Sequence, residues 1–184
     1  MWRARLAAAL RTVKPMPETD PSTHPPLYDQ LYDAGQARVH EGLASNRKIR
    51  FTKLVRLMEH ALSNEPVLYA THSFEASNDP DEPDAELVGT AIAVTSTLIA
   101  SVKVEPHKRL LVRLTPLNAV SALTVSAGAV TSFVSSDAWN GVAVSATFGN
   151  HAEDIAFPSI RFGLENAERF AAFYPTLLGA LRAQ

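Results

Sequence analysis

The run Phe51-Thr52-Lys53-Leu54-Val55-Arg56-Leu57-Met58-Glu59-His60-Ala61-Leu62-Ser63-Asn64-Glu65-Pro66-Val67-Leu68 holds the point where one kind of structure gives way to another. Phe51, Leu54, Val55, Met58, Ala61 and Leu62 follow an i, i+3, i+4, i+7 spacing and share one face of a helix predicted over 49–63. Lys48, Lys53 and Arg56 project away from that face. Ser63-Asn64-Glu65-Pro66 stops the helix, because the residue before a proline is pushed out of helical geometry. Past the proline, Val67–Glu75 is rich in β-branched and aromatic residues, which suit a pleated surface, and reads as a strand.

Strand character then dominates. Residues 76–86 form an acidic loop, with Asp79, Asp81, Glu82, Asp84 and Glu86. Strands are predicted at 87–94, 98–104 and 109–114, with a turn at Glu105-Pro106-His107. Thr115-Pro116-Leu117-Asn118 is a tight bend before a strand at 119–126, and Gly128 marks a bend or bulge before 129–134. Asn140-Gly141 is the strongest hairpin signal in the chain. After it, Val142, Val144, Ala146 and Phe148 alternate with Ala143, Ser145 and Thr147, as in a half-buried strand. A last strand is expected near 153–157. From about Leu164 the period returns to that of a helix, with Ala167, Phe170, Ala171, Tyr174, Leu177, Leu178 and Leu181 on one stripe. Glu165 is in register to pair with Arg169, and Pro175 should kink or split this helix.

Upstream, 27–44 reads as a loosely periodic helix through Leu27, Leu31, Ala34, Val39 and Leu43. Residues 15–26 hold Pro15, Pro17, Pro21, Pro25 and Pro26, which forbid regular structure and read as an extended linker. Residues 1–14 suit a short basic amphipathic helix. Charge follows the same division: residues 1–63 carry +4, and 64–184 carry −6. The chain therefore divides into a basic segment and linker at 1–26, a helical extension at 27–63, and a β domain with its closing helix at 64–184.

The expected fold is α+β: a small antiparallel β-barrel or sandwich of about seven strands, capped by a C-terminal helix and preceded by N-terminal helices. From Phe51 to Leu181 the sequence resembles the bacterial pleckstrin-homology-like (PH-like) family. The resemblance rests on Leu62-Ser63-Asn64-Glu65-Pro66-Val67-Leu68 at the entry to the first strand and on the hairpin Gly89-Thr90-Ala91-Ile92-Ala93-Val94-Thr95-Ser96-Thr97-Leu98-Ile99. It rests also on the bend Thr115-Pro116-Leu117-Asn118-Ala119-Val120-Ser121-Ala122-Leu123 and the helix Glu165-Asn166-Ala167-Glu168-Arg169-Phe170-Ala171. It implies a barrel closed by the last helix and used as an interaction module. Where the family hairpin carries charged residues after its threonine, this chain has Ser96 and Thr97, so no anion site is expected there.

Composition narrows the chemistry. With 184 residues the chain can bury roughly 70% of its unfolded surface without staples. The absence of cysteine removes disulfides, thiolate metal sites and a thiol nucleophile. A net charge of −2 supplies no general field for nucleic acid. Arg3 and Arg5 before Leu6–Leu10 imitate a secretory leader, but that apolar core is too short. The uncharged run 114–136 is broken by serines, threonines and Pro116, which suits strands rather than a bilayer-spanning helix, so a cytoplasmic protein is expected. No phosphate-cradling loop, nucleophile elbow or zinc-protease helix is written in the sequence, and the histidines at 24, 40, 60, 72, 107 and 151 lack ligand spacing. No catalytic residue, metal site or cofactor is therefore assigned, and an enzyme is not expected.

Two features remain as binding candidates. Arg47, Lys48, Arg50, Lys53 and Arg56 form a basic helix face suited to an anionic membrane or lipid surface, with a solvated face as the plain alternative. Trp139, beside the Asn140-Gly141 turn, is a candidate interface anchor or a cross-strand aromatic. The acidic loop repels a phosphorylated headgroup and is expected to be solvated. The leading expectation is a non-catalytic, protein-binding module. Peripheral membrane association through the basic helices is the alternative.

Overall fold

The computed structural model describes residues 26–34, 45–74, 87–127, 142–149, 154–157 and 164–183. Among the described residues, three helices, α1 (Leu27–Asp33), α2 (Ser45–Ala61) and α3 (Leu164–Arg182), accompany seven strands. These are β1 (Tyr69–His72), β2 (Gly89–Val94), β3 (Leu98–Val104), β4 (Val112–Pro116), β5 (Val120–Ala127), β6 (Val142–Phe148) and β7 (Ile155–Phe157). They make two antiparallel sheets, β1-β2-β3-β4 and β5-β6-β7.

The α2 stripe lies where its spacing puts it. Phe51, Leu54, Val55, Met58 and Leu62 are buried, while Lys53 and Arg56 are exposed. Ser63 and Asn64 both take left-handed backbone, at φ 53° and 58°, and the Asn64 N–H returns to the Glu59 carbonyl at 3.1 Å. That turn ends the helix and aims the chain into β1.

Along β1, β2 and most of β3 the first sheet is covered on both faces, and the two faces differ in side-chain size. Ala70, Ala93 and Ala100 lie in one cross-strand row, and with Ala91, Val102 and Val104 they face α1 and α2. Tyr69, Val94 and Ile99 form the neighbouring row, and with Ile92 they face the second sheet and α3. The small row lets the helices sit close to the backbone. The large row fills the space between the sheets, where Val120, Val144, Phe148, Phe157, Phe170, Phe173 and Leu177 complete the core. Tyr69 stacks on Phe173 at 5.4 Å, and Phe157 stacks on Phe170 at 6.3 Å.

The helices are bound to the sheet by polar contacts as well. Gln30 of α1, itself buried, donates from Nε2 to the Val67 carbonyl at 3.0 Å. Arg169, which the sequence pairs with Glu165, reaches Asp33 of α1 at 2.9 Å, so α1 and α3 are joined directly.

Several expectations change. The strands do not close into a barrel: β4 ends at Pro116, which has no N–H to offer, and a 3-10 turn at Leu117–Ala119 carries the chain into the other sheet. β4 starts at Val112 rather than Arg109, because the turn after Glu105 takes up more residues. Pro175 does not split α3. It sits on the exposed side, between buried Phe173 and Leu177 that hold both turns against the core. Of the run 114–136, residues 114–127 belong to β4, the 3-10 turn and β5, and among the described residues no helix is long and apolar enough to cross a membrane. The predicted helix at 1–14, the proline linker, the acidic loop, the strand at 129–134 and the Asn140-Gly141 turn lie outside the described residues.

Candidate interaction surface

Arg50 decides how the basic helix meets the sheet. Its guanidinium donates to two main-chain oxygens of the β3–β4 turn, Glu105 O at 2.7 Å and Lys108 O at 3.1 Å. The turn is tight, with His107 at φ 56° and the Lys108 N–H returning to Glu105 O at 3.3 Å. Arg50 acts there as a cap, its Nη2 donating to both oxygens. Of the predicted basic set, Lys53 and Arg56 present exposed side chains, and Arg47 and Lys48 belong to the first turn of α2. Trp139 lies outside the described residues.

The clamp brings further cations to this end of the molecule. Lys103 and Lys108 flank Glu105, at 3.6 and 2.8 Å, and both lysine side chains are largely exposed. The Lys108 hydrogen bond, helped by the charge of Lys103, holds the Glu105 carboxyl below the usual carboxylate range. Arg109 and Arg113 follow, both exposed. From 103 to 113 four cations face one carboxylate, in a chain whose second part is acidic.

β4 is, with β1, one of the two outer strands of the first sheet among the described residues, and has a ladder partner on one side only. Its register with β3 and the Leu117 N–H bond to Thr97 O, at 2.8 Å, fix which groups face outward. Hydrogen-bonded pairs alternate along an antiparallel ladder, so Thr115 and Arg113 bond β3, while the N–H and C=O of Val112 and Leu114 point to the outer edge. Apolar side chains accompany that edge. Leu111, just before the strand, is 74% exposed, and Leu114, within it, is 44% exposed.

The sequence carried a signal for this surface that its reading did not use. In Lys108-Arg109-Leu110-Leu111-Val112-Arg113-Leu114, apolar residues fall on both faces, although a strand with one covered face should alternate. The remaining buried polar groups serve the core. Tyr69 Oη donates to Asn166 Oδ1 at 2.9 Å, and Asn166 Nδ2 donates to Thr71 Oγ1 at 3.1 Å. His72, also buried, stacks on Phe74 at 4.5 Å and accepts the Phe74 N–H at Nδ1. Among the described residues no three histidines or carboxylates converge as a metal site would require.

No family model, no curated protein and no solved structure matches the chain.

Proposed function

We propose that this chain is a non-catalytic protein-interaction module on a PH-like α+β scaffold. One observation carries the reading: among the described residues the first sheet ends in a strand with outward main-chain groups and two exposed leucines, Leu114 within it and Leu111 just before it. Such an edge is a template for pairing with another chain, and soluble proteins normally blunt or cover it. The sequence adds that no linear catalytic motif accompanies the fold. The test is cross-linked affinity capture from cells of origin with the full chain and with the Leu111→Asp/Leu114→Asp variant. The reading expects proteins retained by the wild type and lost from the variant. Capture of nothing by either contradicts it.

A second reading, attachment to an anionic membrane, is favoured by the Arg50 clamp, which places the basic helix beside Lys103, Lys108 and Arg109. Each cation near an anionic leaflet contributes about 1 kcal/mol. Salt-sensitive sedimentation with phosphatidylserine vesicles, absent with phosphatidylcholine alone, is its expected result. Equal recovery with both kinds of vesicle removes it.

A further inference from the structure

We infer, resting on the protein-interaction reading above, that the outer edge of β4 receives an extended, acidic segment of a partner protein as an added strand. Three features of the edge specify that occupant. The first is the main chain. Val112 and Leu114 direct their N–H and C=O outward, which is what a strand partner needs and a helix or a folded surface does not. Pro116, at the next outward position, has no donor, so the pairing stops there and the bound segment is short.

The second is the alternation of pockets and charges. Successive side chains of an added strand point to opposite faces of the sheet. On one face they meet Leu114, in the cross-strand row of Ala100; on the other they meet Arg113, with Leu111 just before the strand. A segment with branched apolar residues among its charges would cover both leucines.

The third is charge. Lys108, Arg109 and Arg113 border the edge, with Lys103 on the neighbouring strand; between positions 103 and 113 of the sequence Glu105 is the one carboxylate, and Glu65 lies by Thr97 at the Pro116 end. A basic incoming strand would be repelled, and an acidic one drawn in and held. The cations thus set which strand is accepted, and the main chain supplies the pairing itself.

The full chain is titrated into a fluorescein-labelled peptide of alternating glutamate and valine, read by fluorescence anisotropy, with a lysine–valine peptide of equal length as control. The glutamate peptide should bind saturably and more weakly as salt rises, and the lysine peptide should not bind. Leu114→Pro removes one outward donor without touching the ladder to β3, and should weaken binding about tenfold or more. Arg109→Glu changes only an exposed side chain and should weaken it severalfold; it keeps the question open to test if the proline variant fails to fold. Absence of saturable binding, equal affinity for the two peptides, or indifference to both substitutions overturns the inference. Binding to phosphatidylserine vesicles with none to the glutamate peptide also overturns it, in favour of a membrane. Cellular partners that stay bound to the Leu114→Pro chain leave the interaction-module reading standing and remove β4 as its site, whereas no cellular partner at all removes that reading itself.

Discussion

The Tyr69 hydroxyl donates to Oδ1 of Asn166 at 2.9 Å, inside the core, and thereby ties β1 to α3 across 97 positions of sequence. Asn166 passes the connection on to Thr71 at 3.1 Å, so one amide satisfies two groups of the same strand. Replacing Asn166 by alanine leaves both hydroxyls without it in a water-poor site. The two hydroxyls then keep only each other, and a buried polar group left short of a partner costs about 1–3 kcal/mol. Asn166→Ala should therefore lower stability by about 2–4 kcal/mol, measured by urea unfolding. Tyr69→Phe leaves Asn166 Oδ1 as the one group short of a partner, while Asn166 keeps its bond to Thr71, and should cost less than Asn166→Ala.

The same tyrosine makes the fold sensitive to alkali. Burial pushes the Tyr69 phenol well above its ordinary value, because the phenolate would lose its hydration; its bonds to Thr71 and Asn166 oppose this only in part. A raised folded-state pKa means the native chain holds its proton where the unfolded chain releases it. The contribution to stability is complete below the unfolded phenol's pKa of about 10 and declines as pH rises past it. Unfolding midpoints followed from pH 8.5 to 11.5 should fall above about 10, and the Tyr69→Phe chain should lack that component of the fall.

Gly89 opens β2 at φ +140°, and a Cβ there would stand 2.5 Å from the Ser73 carbonyl oxygen. The close approach is part of the β1–β2 ladder, where the Ser73 N–H bonds Thr90 O at 2.8 Å and the Thr90 N–H bonds Ser73 Oγ at 3.0 Å. Gly89→Ala combines a disfavoured backbone with a clash against main chain, and should cost about 2–4 kcal/mol. Thermal melts of the two chains give the comparison.

Arg50 should behave as a brace for the β3–β4 turn. Its partners are carbonyl oxygens, one part-buried and one exposed, so the loss in Arg50→Ala is modest, about 1–2 kcal/mol. The local signature is sharper: amide exchange at Lys108, whose N–H closes the turn, should quicken, while exchange in β6 stays unchanged. Arg50→Lys keeps the charge but not the planar guanidinium that fixes Nη2 between the two oxygens, and should restore only part of the protection.

Parts of this architecture were legible in the sequence because a local period encodes them. β3 and β6 occupy the predicted 98–104 and 142–148, where alternation or a run bounded by turn residues marks each end. The α2 stripe was legible for the same reason. Other parts were not, because they depend on pairing between distant segments. The Ala70–Ala93–Ala100 row becomes a helix-docking face only once three strands are in register. Arg50 looked like one more cation on a basic face, and its partners lie 55 and 58 positions away on the main chain, where no side-chain pattern announces them. The β4 edge was hidden likewise. Only the sheet order shows that this strand, and not its neighbour, is the outer one.

Residue-resolved amide exchange over β4 tests the central claim most directly. In the free chain, Val112 and Leu114 should exchange rapidly while Arg113 and Thr115 are protected by β3, and saturation with the glutamate–valine peptide should slow Val112 and Leu114 specifically. Protection of Val112 and Leu114 already present in the free chain, or exchange there unaltered by the peptide, would contradict the account.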